Sequence, residues 1–149
     1  MLTLADLGVL QRVEEVDGRI LVGLIPTHAG CPALGAIRAD VVRALADAGF
    51  AEVEVRIDPA PAWSSDLISP VGREALRRAG ISPPGPAGAQ APVPLAIGPP
   101  RLVDAHRDLV CPRCGATQVE VLSDFGPTPC LMLARCQACR EPFEHLKEH

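Results

Sequence analysis

The chemistry legible in this chain belongs to its cysteines. Cys111-Pro-Arg-Cys114 and Cys136-Gln-Ala-Cys139 are two Cys-x-x-Cys pairs with 21 residues between them. Each pair sets two sulfurs on one tight turn, and a hairpin between the pairs brings the turns together. Four thiolates then complete a tetrahedron around Zn²⁺. Gly115 lets the backbone turn behind the first pair, where amide N–H groups donate to sulfur. The intervening segment has strand character over 117–122 and 131–135, which makes the unit a zinc ribbon. Four protein ligands leave no position open for water, so the zinc of such a site is structural. A unit of about 45 residues needs a staple of this kind. A rubredoxin-like iron or an iron–sulfur cluster uses the same four ligands.

Two cysteines are left over. Cys31 stands in Thr27-His28-Ala29-Gly30-Cys31-Pro32, between an apolar strand and a helix. With Pro32 at the first helical position, Cys31 is expected as the N-cap. Its sulfur would then face unsatisfied N–H groups and the positive end of the helix dipole, which favours thiolate over thiol. A nucleophile or a soft-metal ligand suits that position, and so does a small buried cap with no chemistry. Cys130 follows Gly126-Pro127-Thr128-Pro129. It is either a buried cysteine on the ribbon hairpin or a second soft ligand that cooperates with Cys31. His28 offers a base or a ligand beside Cys31, although a lone loop histidine is more often neither. His106, His145 and His149 lack ligand spacing and are read as surface residues. Trp63 lies on a loop, where it either caps the core or stands out as an anchor for a partner protein. Asp66 caps or braces the same loop and, with Trp63, is a candidate partner contact. The chain shows no Gly-rich phosphate loop, no Ser/His/Asp order and no paired carboxylates, so no catalytic residue is assigned.

The elements that must position these residues follow from local patterning. Leu7 to Glu15 runs into Val-Glu-Glu-Val-Asp-Gly, whose Asp17-Gly18 is a hairpin-turn pair, and Arg19 to Pro26 reads as a buried strand. Leu34, Ile37, Val41, Leu45 and Ala48 recur at three and four residues and define one apolar helix face, ended by Gly49. Residues 52–58 alternate strictly and form a strand. Ser69-Pro70 starts a second helix, with Ser as N-cap and Pro at the first position, that ends at Gly80. Residues 1–80 are thus a small α+β domain of order β-β-α-β-α. Residues 81–100 carry no charge, seven prolines and three glycines, and read as a Pro/Ala/Gly-rich linker. Residues 101–149 form the all-β, four-cysteine zinc ribbon.

Composition narrows the function classes. The chain has 149 residues and a net charge of −4, and Lys147 is its single lysine. Residues 1–80 hold 8 basic and 11 acidic side chains, and residues 101–149 hold 6 and 7. Neither part has the basic excess that nucleic-acid binding requires. Aromatics are 3%, too few for base-stacking platforms. No apolar run of about 18 residues exists, so no membrane span is expected. Met1 to Asp6 has no export signal, and a cytoplasmic location is expected.

Taken together, the motifs resemble a known family. Thr27-x-x-Gly30-Cys31-Pro32 before an amphipathic helix, then Val53-x-Val55 and Trp63, resembles the MIP18-like (DUF59) domain, whose members serve iron–sulfur cluster assembly. Trp63-Ser-Ser-Asp66-Leu-Ile-Ser69 leading to Gly72-Arg73, Gly80-Ile-Ser-Pro-Pro84, Cys111-Pro-Arg-Cys114-Gly115, Asp124-Phe-Gly126 with Cys130, and Arg135-Cys136-Gln-Ala-Cys139-Arg-Glu-Pro-Phe143 resemble the D-subunit family of the ring-1,2-phenylacetyl-CoA epoxidase system of aerobic phenylacetate degradation. The likeness covers nearly the whole chain. That family begins earlier, with an Asp-Pro-Glu-containing segment ahead of Leu2 to Gly8, so a preceding helix is expected to be missing here. The resemblance implies a non-enzymatic accessory or maturation subunit. It would help load iron or an iron–sulfur cluster, held transiently by Cys31 and Cys130, onto a reductase or di-iron oxygenase subunit. A structural subunit held in the complex by its zinc ribbon is the alternative, and a Cys31-dependent thiol enzyme is a third.

Overall fold

A computed structural model describes residues 1–28, 30–58, 61–87 and 109–147. The chain is α+β and builds two small sheets. Strands β1 (Leu10–Val16) and β2 (Arg19–Leu24) form the expected hairpin. Asp17 and Gly18 take φ of 52° and 77°, the left-handed pair that a two-residue hairpin turn requires. Helix α1 (Leu34–Asp47) crosses from β2 to β3 (Val53–Ile57), which pairs in parallel with β2 and leaves β2 central. Ile20, Val22, Leu24 and Val55 form a buried cluster, and Ile37, Val41 and Leu45 of the expected helix face pack on it. The opposite face of this sheet carries ion pairs instead: Arg12 with Asp58 at 3.4 Å, and Arg19 and Arg56 with Glu54 at 3.5 and 2.8 Å. Among the described residues, no helix is long and apolar enough to cross a membrane.

After a 3-10 turn at Ser65–Leu67, helix α2 (Pro70–Arg78) starts as its sequence dictates. Ser69 is the N-cap, and its Oγ accepts from the Gly72 N–H at 2.9 Å. The same hydroxyl donates to Asp6 Oδ1 at 2.9 Å, and Thr3 Oγ1 donates to Asp6 Oδ2 at 2.6 Å. These two hydroxyls, Thr3 first and Ser69 second, hold the Asp6 carboxyl below its ordinary range. The N-terminal segment is thereby tied to the start of α2. The approach is close: a Cβ on Gly72 would lie 2.3 Å from the Asp6 carbonyl oxygen. Gly72→Ala is therefore expected to cost about 2–3 kcal/mol, read as a lower urea midpoint at constant slope.

The second sheet has the order β4-β7-β6-β5. Strands β5 (Val119–Ser123) and β6 (Leu131–Cys136) are the expected ribbon hairpin, and β7 (Pro142–Leu146) adds antiparallel to β6. Strand β4 is Ile81–Ser82, paired in parallel with Glu144 and His145 of β7. Here the structure corrects the expected linker, which does not begin at Ile81. Residues 81–87 are fixed, because prolines lack N–H groups but keep carbonyls that side chains can use. Arg73 donates to the Pro84 carbonyl and, at 2.7 Å, to that of Ser65. Ser65 Oγ donates to the Gly85 carbonyl at 3.1 Å, and the Ala87 N–H donates to Asp66 Oδ1 at 2.9 Å. Residues 88–100 of the expected linker, and His106 and His149, lie outside the described residues.

The two sheets meet in one core. Ile25, Trp63, Ile68 and Leu76 come from the N-terminal part and Leu146 from β7. Ile81, Cys130, Leu131, Leu2 and Leu7 pack around them.

Candidate metal centre

The four knuckle sulfurs converge as the spacing requires. Sγ atoms of Cys111, Cys114, Cys136 and Cys139 all lie within 4.8 Å of one another. Cys111 and Cys139 are 3.8 Å apart, and Cys114 and Cys136 are 3.6 Å apart. A tetrahedron with Zn–S bonds of about 2.3 Å has sulfur–sulfur edges of about 3.8 Å, so the residues fit this ion. Cys111 and Cys136 are buried, whereas Cys114 and Cys139 are exposed.

The two knuckles repeat one backbone design. The Cys111 N–H donates to the Ala116 carbonyl and the Gly115 N–H to that of Cys111, both at 2.9 Å. The Cys136 N–H donates to the Glu141 carbonyl and the Arg140 N–H to that of Cys136, both at 3.0 Å. Gly115 and Arg140 occupy the same place, with φ of 75° and 66°. Glycine takes that conformation freely, while an L side chain is strained in it. Arg140→Gly is expected to raise the melting midpoint of the metal-loaded protein, by about 1 kcal/mol of stability.

The sulfurs do not titrate alike without a metal. Cys136 is lowered to about 7, chiefly by the Cys139 N–H, which points at its sulfur from 3.5 Å. At Cys139 the Glu141 N–H favours thiolate, but the partial loss of water around its sulfur and the three neighbouring sulfurs outweigh it and push the thiol up to about 12. Metal binding must therefore displace at least the Cys139 proton, and acid competes with the ion. Apparent Zn²⁺ affinity should fall at least about tenfold from roughly pH 7.5 to 6.5, measured by competition with a chromophoric chelator.

The spare cysteines are placed otherwise than expected. Helix α1 starts at Leu34, its N-cap is Ala33, and no side chain caps it. Cys31 is thus not the N-cap. It opens a turn closed by the Leu34 N–H on the Cys31 carbonyl at 3.3 Å, and Pro32 serves that turn, not the helix. Cys31 is half-buried, its own N–H donating to the His28 carbonyl at 3.1 Å. His28 Nδ1 accepts from the Gly30 N–H at 3.0 Å, so that nitrogen is engaged in shaping the loop. Cys130 packs against the shared core, with Thr128 Oγ1 3.2 Å from its sulfur. Among the described residues, no cluster of three or more metal-ligating side chains includes Cys31 or Cys130.

Trp63 is 4% exposed and donates its Nε1–H to the Leu7 carbonyl at 2.9 Å. It is a core residue and not an exposed anchor. Asp66 Oδ1 accepts from the Ala87 N–H and so ties its loop to the segment after β4. His145 is buried and not on the surface, because β7 runs between β4 and β6. Arg73 and Leu146 are the important residues that local patterning does not single out. Phe125 is 76% exposed, and the Lys147 ammonium stands 5.2 Å from its ring centre.

Comparison with known proteins places these features. Residues 98–147 match the model of the PaaD zinc beta ribbon domain. A crystal structure of a domain of unknown function, DUF59, from Bacillus anthracis has a TM-score of 0.47 and 28% identity, covering 49% of this chain and 72% of that one. A curated Escherichia coli (strain K12) protein, provisionally named as the D subunit of 1,2-phenylacetyl-CoA epoxidase, is 37% identical over 151 residues, spanning 99% of this chain and 82% of that protein. With that identity along its whole length, and with the matching ribbon, the chain belongs to the D-subunit family of phenylacetyl-CoA epoxidase.

Proposed function

We propose that this chain is a non-catalytic, cytoplasmic accessory subunit of a phenylacetyl-CoA epoxidase system in aerobic phenylacetate degradation. Its task is to help load iron or an iron–sulfur cluster onto a partner subunit, either the reductase or the di-iron oxygenase, with Cys31 as the working thiol. The four knuckle sulfurs hold a structural zinc. Near-full-length identity to a protein named as the epoxidase D subunit carries the reading. Cys31 lies half-buried in the loop after β2, which leaves it within reach of a partner. The proposal is tested in a host lacking its own copy. Wild type should restore ring epoxidation and the iron content of the partner subunits. Cys31→Ala should fold, keep its zinc and restore less than about a tenth of the activity.

A second reading is favoured by two observations: Cys31 lies outside the helix cap, and Cys130 packs into the core. In it the chain is a structural subunit that stays in the complex. Full activity with Cys31→Ala, together with stoichiometric co-purification, would establish that reading and end the first. The thiol-enzyme reading is weakest, because the His28 Nδ1 that would serve as base already accepts from a backbone N–H.

A further inference from the structure

We propose that the metal knuckle is the clasp of an intramolecular seam: its occupancy decides whether Trp63 and Cys130 are sealed together or exposed. The path from the metal to the seam is short. Strand β6 ends at the ligand Cys136, and β7 begins three residues after the ligand Cys139. The turn between them is the second knuckle itself, closed by the Cys136–Glu141 and Arg140–Cys136 backbone bonds. Strand β7 then pairs with β6 along Pro142–Leu146 and delivers Leu146 into the core of Ile25, Trp63, Ile68 and Leu76. Its other edge holds β4 through Ile81 and Ser82, the segment that leaves α2.

Cys130 is fastened to the same strand. The Lys147 N–H, just past β7, donates to the Cys130 carbonyl at 2.9 Å, and Cys130 and Leu131 pack on the shared core. On the N-terminal side, Ile25 is the first residue after β2, and the loop that bears Cys31 follows it. The register of β7 therefore sets both the cover over Cys130 and the packing at the root of the Cys31 loop. Without an ion, nothing ties Cys136 and Cys139, at the turn between β6 and β7, to Cys111 and Cys114 of the first knuckle. A small ribbon of this kind takes its folding free energy from its metal.

The seam rests on zinc being the ion held by the four sulfurs, so metal content of the full chain is measured first. Less than about half a zinc per chain ends the metal reading itself. For zinc-loaded protein, two signals are then followed before and after stripping with a chelator under reducing conditions. These are emission of Trp63, the single tryptophan, and the rate at which N-ethylmaleimide labels each free thiol, located by mass spectrometry. Before stripping, the labelling rate of Cys130, half-buried against the shared core, sets the baseline. Afterwards Trp63 emission should shift to the red and Cys130 should label at least about tenfold faster than that baseline, with both changes reversed by added zinc. Unchanged emission with Cys130 still protected would overturn the proposal. Leu146→Ala provides a second test that spares the ligands. With zinc retained, it should raise the labelling rate of Cys130 at least about fivefold, and a zinc-loaded L146A protein that labels like wild type would also overturn the proposal.

Discussion

Cys136→Ser is expected to empty the metal site and to unfold the ribbon. Cys136 is fully buried, ends β6, pairs with Val119 of β5 and starts the second knuckle. Serine keeps the size of the side chain but supplies a hard, protonated oxygen where a soft thiolate is needed. Structural zinc contributes about 10–16 kcal/mol of apparent binding free energy in small zinc domains, and that energy is folding energy. Zinc should fall from one to less than about a tenth per chain, and the ribbon's cooperative melting transition should be lost. Cys130→Ser is the matched comparison. It lies outside the sulfur cluster and should keep its zinc, losing only packing at the seam. If C136S retained a full zinc, the four-sulfur assignment would be wrong.

Trp63→Ala should be the most damaging substitution away from the metal. The indole is buried in the core that joins the sheets, and its N–H satisfies the Leu7 carbonyl. Truncating a buried tryptophan costs about 3–5 kcal/mol. Against a total of about 5–15 kcal/mol for a domain, that is a large share. Trp63→Phe separates the two contributions. It retains most of the apolar surface but leaves the Leu7 carbonyl without its donor, and should cost about 1–3 kcal/mol. Urea unfolding of both variants, followed by circular dichroism, measures the difference. Equal losses for the two would show that the hydrogen bond, and not the packing, dominates.

The parts of this fold that are legible in the sequence are those set by local rules. Asp17-Gly18 specifies a turn by backbone angle alone, and Ser69-Pro70 marks a helix start because hydroxyl and ring each fill a fixed role there. The knuckles are legible because four soft ligands at that spacing have one common geometry. Pro32 shows where local rules become ambiguous. Proline suits the second position of a reverse turn as well as the first position of a helix, and the structure uses the turn. The surroundings expected for Cys31 differ from the actual ones for that reason. Strand β4 has only two residues, and its partner lies some sixty residues further on, so no periodicity announces it. Strand β7 opens with Pro142, which is tolerated at a strand's first residue but reads as a stop. Its burial of His145 depends on neighbours on both sides, which only the folded sheet supplies.

The parallel pairing of β4 with β7 also fixes an order of events during synthesis. A ribosome releases the segments of α1, α2 and β4 well before Leu146 exists, and elongation proceeds at about 5–20 residues per second. For several seconds the nascent chain carries Ile25, Trp63, Ile68 and Leu76 with their last covering residue still unmade. Contacts between residues so far apart in sequence form late and slowly. The emerging chain thus passes through a state with a sticky, open flank, and a message truncated before the second cysteine pair would leave it there permanently. Such a product is a natural client for chaperones and proteases.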